Sequence, residues 1–191
     1  MAMRRGGSLR RGMAAFAGGA VTAFIASRFL PPVLAQAVGS TRAAIGRDPF
    51  AALAQDHRDM LAYLSDMEQS PANAALRRTQ LLLRLKRRLT AHALAEEDVI
   101  YPMLSDQGGD PDEARRLYAD HAEVKMQLHA LEQTSTDAPE WRDRVRALRT
   151  LIETHARQEE EVDFPKLRGA LNEQAITRLS GTLQREKAMV L

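Results

Sequence analysis

Cysteine is absent from the 191 residues. No disulfide, thiolate zinc site or cysteine-held iron–sulfur cluster can form, so any metal must sit on nitrogen and oxygen donors. The lack says nothing decisive about compartment. Aromatic residues are scarce at 5%, with one Trp, three Tyr and five Phe. Glycines are few as well, while Ala, Leu, Arg and Glu abound, which argues for helices over sheets. A third scarcity is positional: no Asp or Glu precedes Asp48, although that stretch carries seven arginines, Arg4, Arg5, Arg10, Arg11, Arg28, Arg42 and Arg47. The net charge of +2 therefore belongs to the leader, and the remainder has 20 basic against 25 acidic residues, net −5. A mildly acidic body has no basic face from which duplex recognition could start, so no nucleic-acid partner is expected.

Residues 1–47 read as a basic and apolar leader. Four arginines precede an Ala/Gly-rich apolar run from Met13 to Ser27, and Ala35-Gln36-Ala37 is a small-x-small triplet, the pattern of an export signal cleaved after Ala37. The Arg10-Arg11 pair invites a twin-arginine reading, but its surroundings match that motif poorly. An uncleaved membrane anchor carries equal weight, although Arg28 and Pro31-Pro32 interrupt the run of about 20 apolar residues that a span needs. A membrane-anchored or exported, periplasmic-type location through residues 1–37 is the expectation, and a basic tail on a cytoplasmic protein the alternative.

Residues 48–191 form the second domain, with room for one proper core. Asp48-Pro49, Ser70-Pro71 and Asp110-Pro111 each place a capping residue before a proline, the signature of a helix start. Apolar residues then recur at steps of three and four: Phe50, Leu53, Leu61, Leu64 and Met67; Leu82, Leu85, Leu89, Val99 and Met103; Leu117, Val124, Leu128 and Leu131; Trp141, Val145, Leu148, Ile152 and Val162. Pro102 and Pro165 predict that the second and fourth helices end or kink nearby, because a proline ring clashes with the carbonyl four residues back. Gly169 and Asn172 set off a last amphipathic segment, Glu173 to Val190. The expected fold is all-α, an up-down-up-down four-helix bundle with an extra C-terminal helix.

His92 to Leu104, H-A-L-A-E-E-D-V-I-Y-P-M-L, recurs 63 residues later as His155 to Leu167, H-A-R-Q-E-E-E-V-D-F-P-K-L. Asp56-His57 and Asp120-His121 repeat at an offset of 64, so the body reads as two similar helical hairpins. Each of the four stripes carries one histidine, His57, His92, His121 or His155, and two add a glutamate one turn on, Glu96 and Glu159. Burying six such groups without partners would cost several kcal/mol each. Coordination of a cation offsets that cost, since it neutralises carboxylates and takes imidazole lone pairs. A His at i and a Glu at i+4 point the same way. Two metals, each with two imidazoles and sharing carboxylates, suit iron or manganese, with zinc possible.

The series His57, His92-x-x-x-Glu96, His121, His155-x-x-x-Glu159 resembles the pattern of the hemerythrin-like, or HHE cation-binding, proteins over about Asp48 to Leu167. The resemblance implies a non-haem centre of two iron ions with Glu96 and Glu159 bridging, an oxo or hydroxo bridge, and an open position for dioxygen, nitric oxide or peroxide. Manganese and zinc are the less favoured metals. One departure matters: the oxygen-carrying members have a second histidine one turn after the third-helix one, and Lys125 stands there. A protonated lysine cannot ligate, which argues against simple reversible oxygen carriage. Oxidase- or peroxidase-type turnover and plain gas binding both stay open, and an iron storage or sensing module without redox catalysis is the alternative.

Other polar residues weigh less. Tyr118, one turn before His121, reads as a rim tyrosine or as a further ligand or hydrogen-bond donor at the site. His129 lies off the stripe and reads as solvated. Glu97, Asp98, Glu160 and Glu161 read as solvated faces, with a supporting role beside the metal as the other reading. Trp141 and Phe164 read as core.

Overall fold

The computed structural model describes residues 48–190. The expected leader, its signal or anchor character and the 1–47 boundary lie outside the described residues. Among those described there is no strand, and no helix is long and apolar enough to cross a membrane.

Helix α1 spans Pro49–Gln69. Asp48 caps it, its carboxylate accepting the Phe50 N–H at 3.0 Å, and Pro49 fills the first helical position, where no donor is missed. Ser70-Pro71 does not start the next helix as expected. The residue before a proline avoids helical torsions, and Ser70 is extended, at ψ 136°, closing α1. Its hydroxyl donates to the Met67 carbonyl at 2.6 Å and accepts from Arg78 Nε at 2.8 Å. Helix α2, Ala75–Ala95, begins a full turn later and has no side-chain cap.

The second departure comes at Pro102. Instead of ending, the rod widens into a π turn, Glu96–Ile100, and runs on as α3, Tyr101–Asp106. The Tyr101 N–H reaches back five residues to the Glu96 carbonyl. One extra residue in the turn relieves the clash that Pro102 would make in regular helix. The Glu97 carbonyl, five residues before a proline that has no N–H to give it, accepts the Tyr118 hydroxyl at 2.6 Å. Gly109, at φ 69°, makes the following turn in the left-handed region. Helix α4, Pro111–Glu132, is capped by Asp110. After a polar break comes α5, Trp141–Gln158, then a second π turn, Glu159–Asp163, and α6, Phe164–Ala170. Here too the helix passes its proline, Pro165, and stops only at Leu171. Asn172 caps the last helix, α7, Glu173–Ala188.

Four rods, α1, α2–α3, α4 and α5–α6, stand side by side, and α7 lies across α1 and α2. Helix α1 packs on α2 and α5, and α4 on α5 and α3, whereas α2 itself meets α4 only sparsely. The apolar stripes meet in two layers. One, around Met60, Leu64, Leu85, Leu128, Trp141 and Leu148, fills one end of the bundle. The other, around Leu53, Ile100, Tyr101, Leu104, Leu117 and Phe164, fills the other end and takes Leu179 and Leu183 from α7. Each fully buried side chain of this size stabilises by about 1.5–3 kcal/mol. Between the layers every rod contributes a polar residue, and those residues meet.

Candidate metal centre

His57 falls between Leu53 and Met60 on the apolar stripe of α1, and His121 between Leu117 and Val124 on that of α4. His92 and His155 sit on the last turns of α2 and α5, and Glu96 and Glu159 open the two π turns. All six residues are buried, and both glutamates are fully inaccessible. The imidazoles form two pairs. His57 Nε2 lies 3.0 Å from His92 Nε2, and His121 Nε2 lies 3.0 Å from His155 Nε2. Each carboxylate touches one member of each pair. Glu96 Oε2 is 2.9 Å from His92 Nε2 and 3.4 Å from His121 Nε2; Glu159 Oε2 is 3.3 Å from both His57 Nε2 and His155 Nε2. Ligand atoms of His57, His92, Glu96, His155 and Glu159 fit within 4.8 Å of one another, a group that could hold a metal ion. His121 joins through the contacts just given.

An outer ring of carboxylates holds the far sides of the imidazoles. Glu160 meets His57 Nδ1 at 2.8 Å and Glu97 meets His121 Nδ1 at 2.9 Å, two equivalent contacts in the two halves of the repeat. These contacts favour the supporting role for Glu97 and Glu160 over a purely solvated face, although Glu160 remains exposed. Each lies one residue past a buried glutamate, within reach of the histidine of a neighbouring rod. Such contacts fix the tautomer that leaves Nε2 free toward the centre. Asp56 approaches His92 Nδ1 at 3.5 Å without an aligned hydrogen bond, and His155 Nδ1 has no hydrogen-bond partner either.

The charges reinforce one another. Burial opposes a proton on His121, but Glu96 and Glu97 outweigh it and raise its pKa to about 9. His92 is raised as well, with burial overcome by Glu96 and Asp56. Burial favours the neutral acid at Glu96, yet His92 and His121 hold it well below the usual carboxylate range. Glu159 is lowered too, its burial and the neighbouring Glu96 charge being overcome by His155 and His57.

Tyr101 is the site residue that sequence reasoning passed over. Its hydroxyl donates to Glu159 Oε1 at 2.9 Å and lies 2.9 Å from His121 Nε2. Burial and the Glu96 and Glu159 charges push its pKa well above 10. The signal was present in the repeat, where Tyr101 aligns with Phe164. Phe164 lies parallel to the His57 ring, 6.3 Å away, so one half of the cluster faces a phenol and the other a bare ring. Tyr118, the other tyrosine considered, points elsewhere: it is 40% exposed, and its hydroxyl is taken by the Glu97 carbonyl. Lys125 is exposed and paired with Glu97, and His129 is exposed. Asp163 also escaped notice. It is buried where the other half of the repeat has Ile100, neither carboxylate oxygen has a hydrogen-bond partner, and burial followed by Glu113 and Glu159 pushes its pKa up to about 7.

The donor set fits a cation. Both Glu96 oxygens and Glu159 Oε2 are buried without an aligned hydrogen-bond donor, in a protein interior where such atoms are rarely orphaned. The Nε2 atoms confront each other in pairs, and two neutral imidazoles can place only one proton between them. The sequence profile of the hemerythrin HHE cation-binding domain matches residues 48–167. The chain belongs to the hemerythrin HHE cation-binding family. A crystal structure of an HHE cation-binding domain-containing protein from Mycobacterium kansasii superposes with a TM-score of 0.64, covering 75% of this chain and 87% of that one at 22% identity. That likeness concerns the fold. A curated relative from Nostoc sp., named DNA nickase, is 34% identical over 117 residues, 61% of this chain. The HHE chain spans about a third of that relative's length, 32%.

Proposed function

We propose that this HHE protein holds two iron ions on His57, His92, Glu96, His121, His155 and Glu159, and there binds or reacts with dioxygen, nitric oxide or peroxide. One observation carries the two-ion reading: each buried carboxylate touches one imidazole of each pair. Two His pairs with two carboxylates spanning them is the donor arrangement of a dinuclear centre with bridging glutamates. Nitrogen and oxygen donors without thiolate suit iron, with manganese or zinc the less favoured occupants. Iron held there would supply the redox electrons and a position for a small ligand.

The surrounding residues divide the remaining work. Glu97, Glu160 and Asp56 hold the imidazoles in orientation. Tyr101, a neutral phenol at any physiological pH, offers a hydrogen bond at the His121/His155 half, while Phe164 keeps the His57/His92 half apolar. Met60, Leu89, Val124 and Ile152 line a small cavity against His92, His121 and His155 and exclude bulk water from it. Nicking of DNA is what the name of the longer relative says of that protein. Residues 1–37 are proposed to direct the protein to or across a membrane.

Metal analysis together with an absorption spectrum tests the centre. Two iron atoms per chain are expected. Purified protein without stoichiometric iron or manganese, and with a melting temperature indifferent to chelation, would sink the proposal. Anaerobic titration of the reduced protein with dioxygen, nitric oxide and peroxide then separates reactivity from storage or sensing. New visible bands or peroxide consumption favour the former, and silence the latter.

A further inference from the structure

We infer that the seam between α2 and α4 is the entrance to the metal centre, with Ala93 as its threshold and Lys125 as its cover. The inference rests on the proposed function for what passes through, not for where the opening lies. Three observations meet here. The cavity against His92, His121 and His155 has a volume of about 10 Å³, room for the centre of one water-sized molecule. A groove of about 330 Å³ lies on the outer face of the bundle between α2 and α4. Leu89, Ala93 and Lys125 line both, so a single layer of side chains separates solvent from the imidazoles. The fold accounts for the thinness, because the α2–α3 rod meets α4 chiefly through α3 and only sparsely along α2. α3 closes the seam only beyond the π turn.

The three dividing residues differ in how easily they move. Leu89 is anchored in the core layer and 5% exposed. Ala93 has only a methyl group to present. Lys125 has a half-exposed side chain, and its ammonium is held across the seam by Glu97, the same carboxylate that braces His121. An exposed ion pair of this kind is worth at most about 1 kcal/mol and is screened by salt. Lifting it therefore costs little, so small solutes and metal ions alike can pass beneath it. Lys125, which stands opposite Leu61 at the offset of 64, is thereby one of the positions where the two hairpins differ, and the one that covers the opening.

The full chain tests this with Ala93→Phe, which fills the threshold, Lys125→Ala, which removes the cover, and Ala54→Phe as a control on the groove between α1 and α6. The first readout is the uptake rate of cobalt(II) by metal-free protein, followed by visible absorption. The second is the association and dissociation of nitric oxide on reduced, iron-loaded protein. Ala93→Phe should slow uptake and both nitric oxide rates at least tenfold with equilibrium affinity within twofold. Lys125→Ala, at an exposed position that leaves folding intact, should raise the rates severalfold, and added salt should do the same to the wild type only. Ala54→Phe should leave all of them unchanged. Unaltered rates in both seam variants, or equal slowing by Ala54→Phe, overturns the entrance. Cobalt uptake that follows the expected order in a protein that never binds nitric oxide leaves the entrance standing and overturns the gas-binding function.

Discussion

At the scale of single residues, a protein interior that buries four imidazoles and two carboxylates must either neutralise them mutually or give them a cation. In the metal-free protein they neutralise one another, and the pKa shifts fix the pH window. His121 is raised from its ordinary value of 6.5 to about 9, so its contribution to stability is complete below about pH 6.5 and is lost as pH rises through 9. Glu96 is depressed, so its contribution is present above its ordinary value of 4.5 and is lost as pH falls. Metal-free protein should therefore melt at its highest temperature between about pH 5 and 6.5, which scanning calorimetry checks. Asp163 has the opposite sign. An acid raised from 3.8 to about 7 costs stability as pH climbs between those values. Asp163→Asn in metal-free protein should gain more stability at pH 8 than at pH 5, with each pKa unit worth about 1.4 kcal/mol before solvent screening. Among the proposed ligands, Glu96→Ala or Glu159→Ala should lose at least one metal by elemental analysis, whereas His129→Ala should change metal content little. Equal loss in all three would mean that the stripe assignment is wrong.

At the scale of elements, the informative failures are those of proline. Pro102 and Pro165 read as stops or kinks because the local rule counts a clash with the carbonyl four residues back. Each helix escapes through an inserted residue, and the insertion begins at the very glutamate that enters the cluster. The histidines and glutamates were legible because charge on an apolar stripe of period 3.6 is rare. Tyr101 was not, because a tyrosine on such a stripe looks like core until its hydroxyl partners on other rods are known. Glu97 and Glu160 stayed divided between a solvated face and a supporting role for a related reason: partnership across rods leaves no mark in local spacing. Ser70-Pro71 misled because a cap and a helix stop share the same two residues. What Ser70 does instead is receive Arg78. That guanidinium is buried, bonds the Ser70 carbonyl at 2.8 Å and the Thr136 carbonyl, and stacks 4.4 Å from the Trp141 ring, tying the α1–α2 turn to the α4–α5 break. Arg78→Met takes the donor from the Thr136 carbonyl and the Ser70 hydroxyl, while Arg142 still donates to the Ser70 carbonyl at 2.7 Å, and should cost about 1–3 kcal/mol in urea unfolding, with metal content unchanged.

At the scale of the molecule, the bundle order and the extra C-terminal helix followed from stripes and caps. The proposed leader is checked by N-terminal sequencing of native protein: Val38 means cleavage after Ala37, and Met1 or Ala2 in the membrane fraction means an anchor. The pattern of carboxylate contacts has a larger meaning for the chain. His57 and His92 come from the first hairpin, His121 and His155 from the second, and each glutamate leans on a histidine of the hairpin it does not belong to. An ion shared between Glu159 and His57 would therefore close a loop of about a hundred residues, the length at which a covalent cross-link restrains an unfolded chain by about 4–5 kcal/mol. In a chain without cysteine, the centre would then serve as a removable staple. The two halves would be fastened in an environment that reduces disulfides and released wherever the ion is taken away.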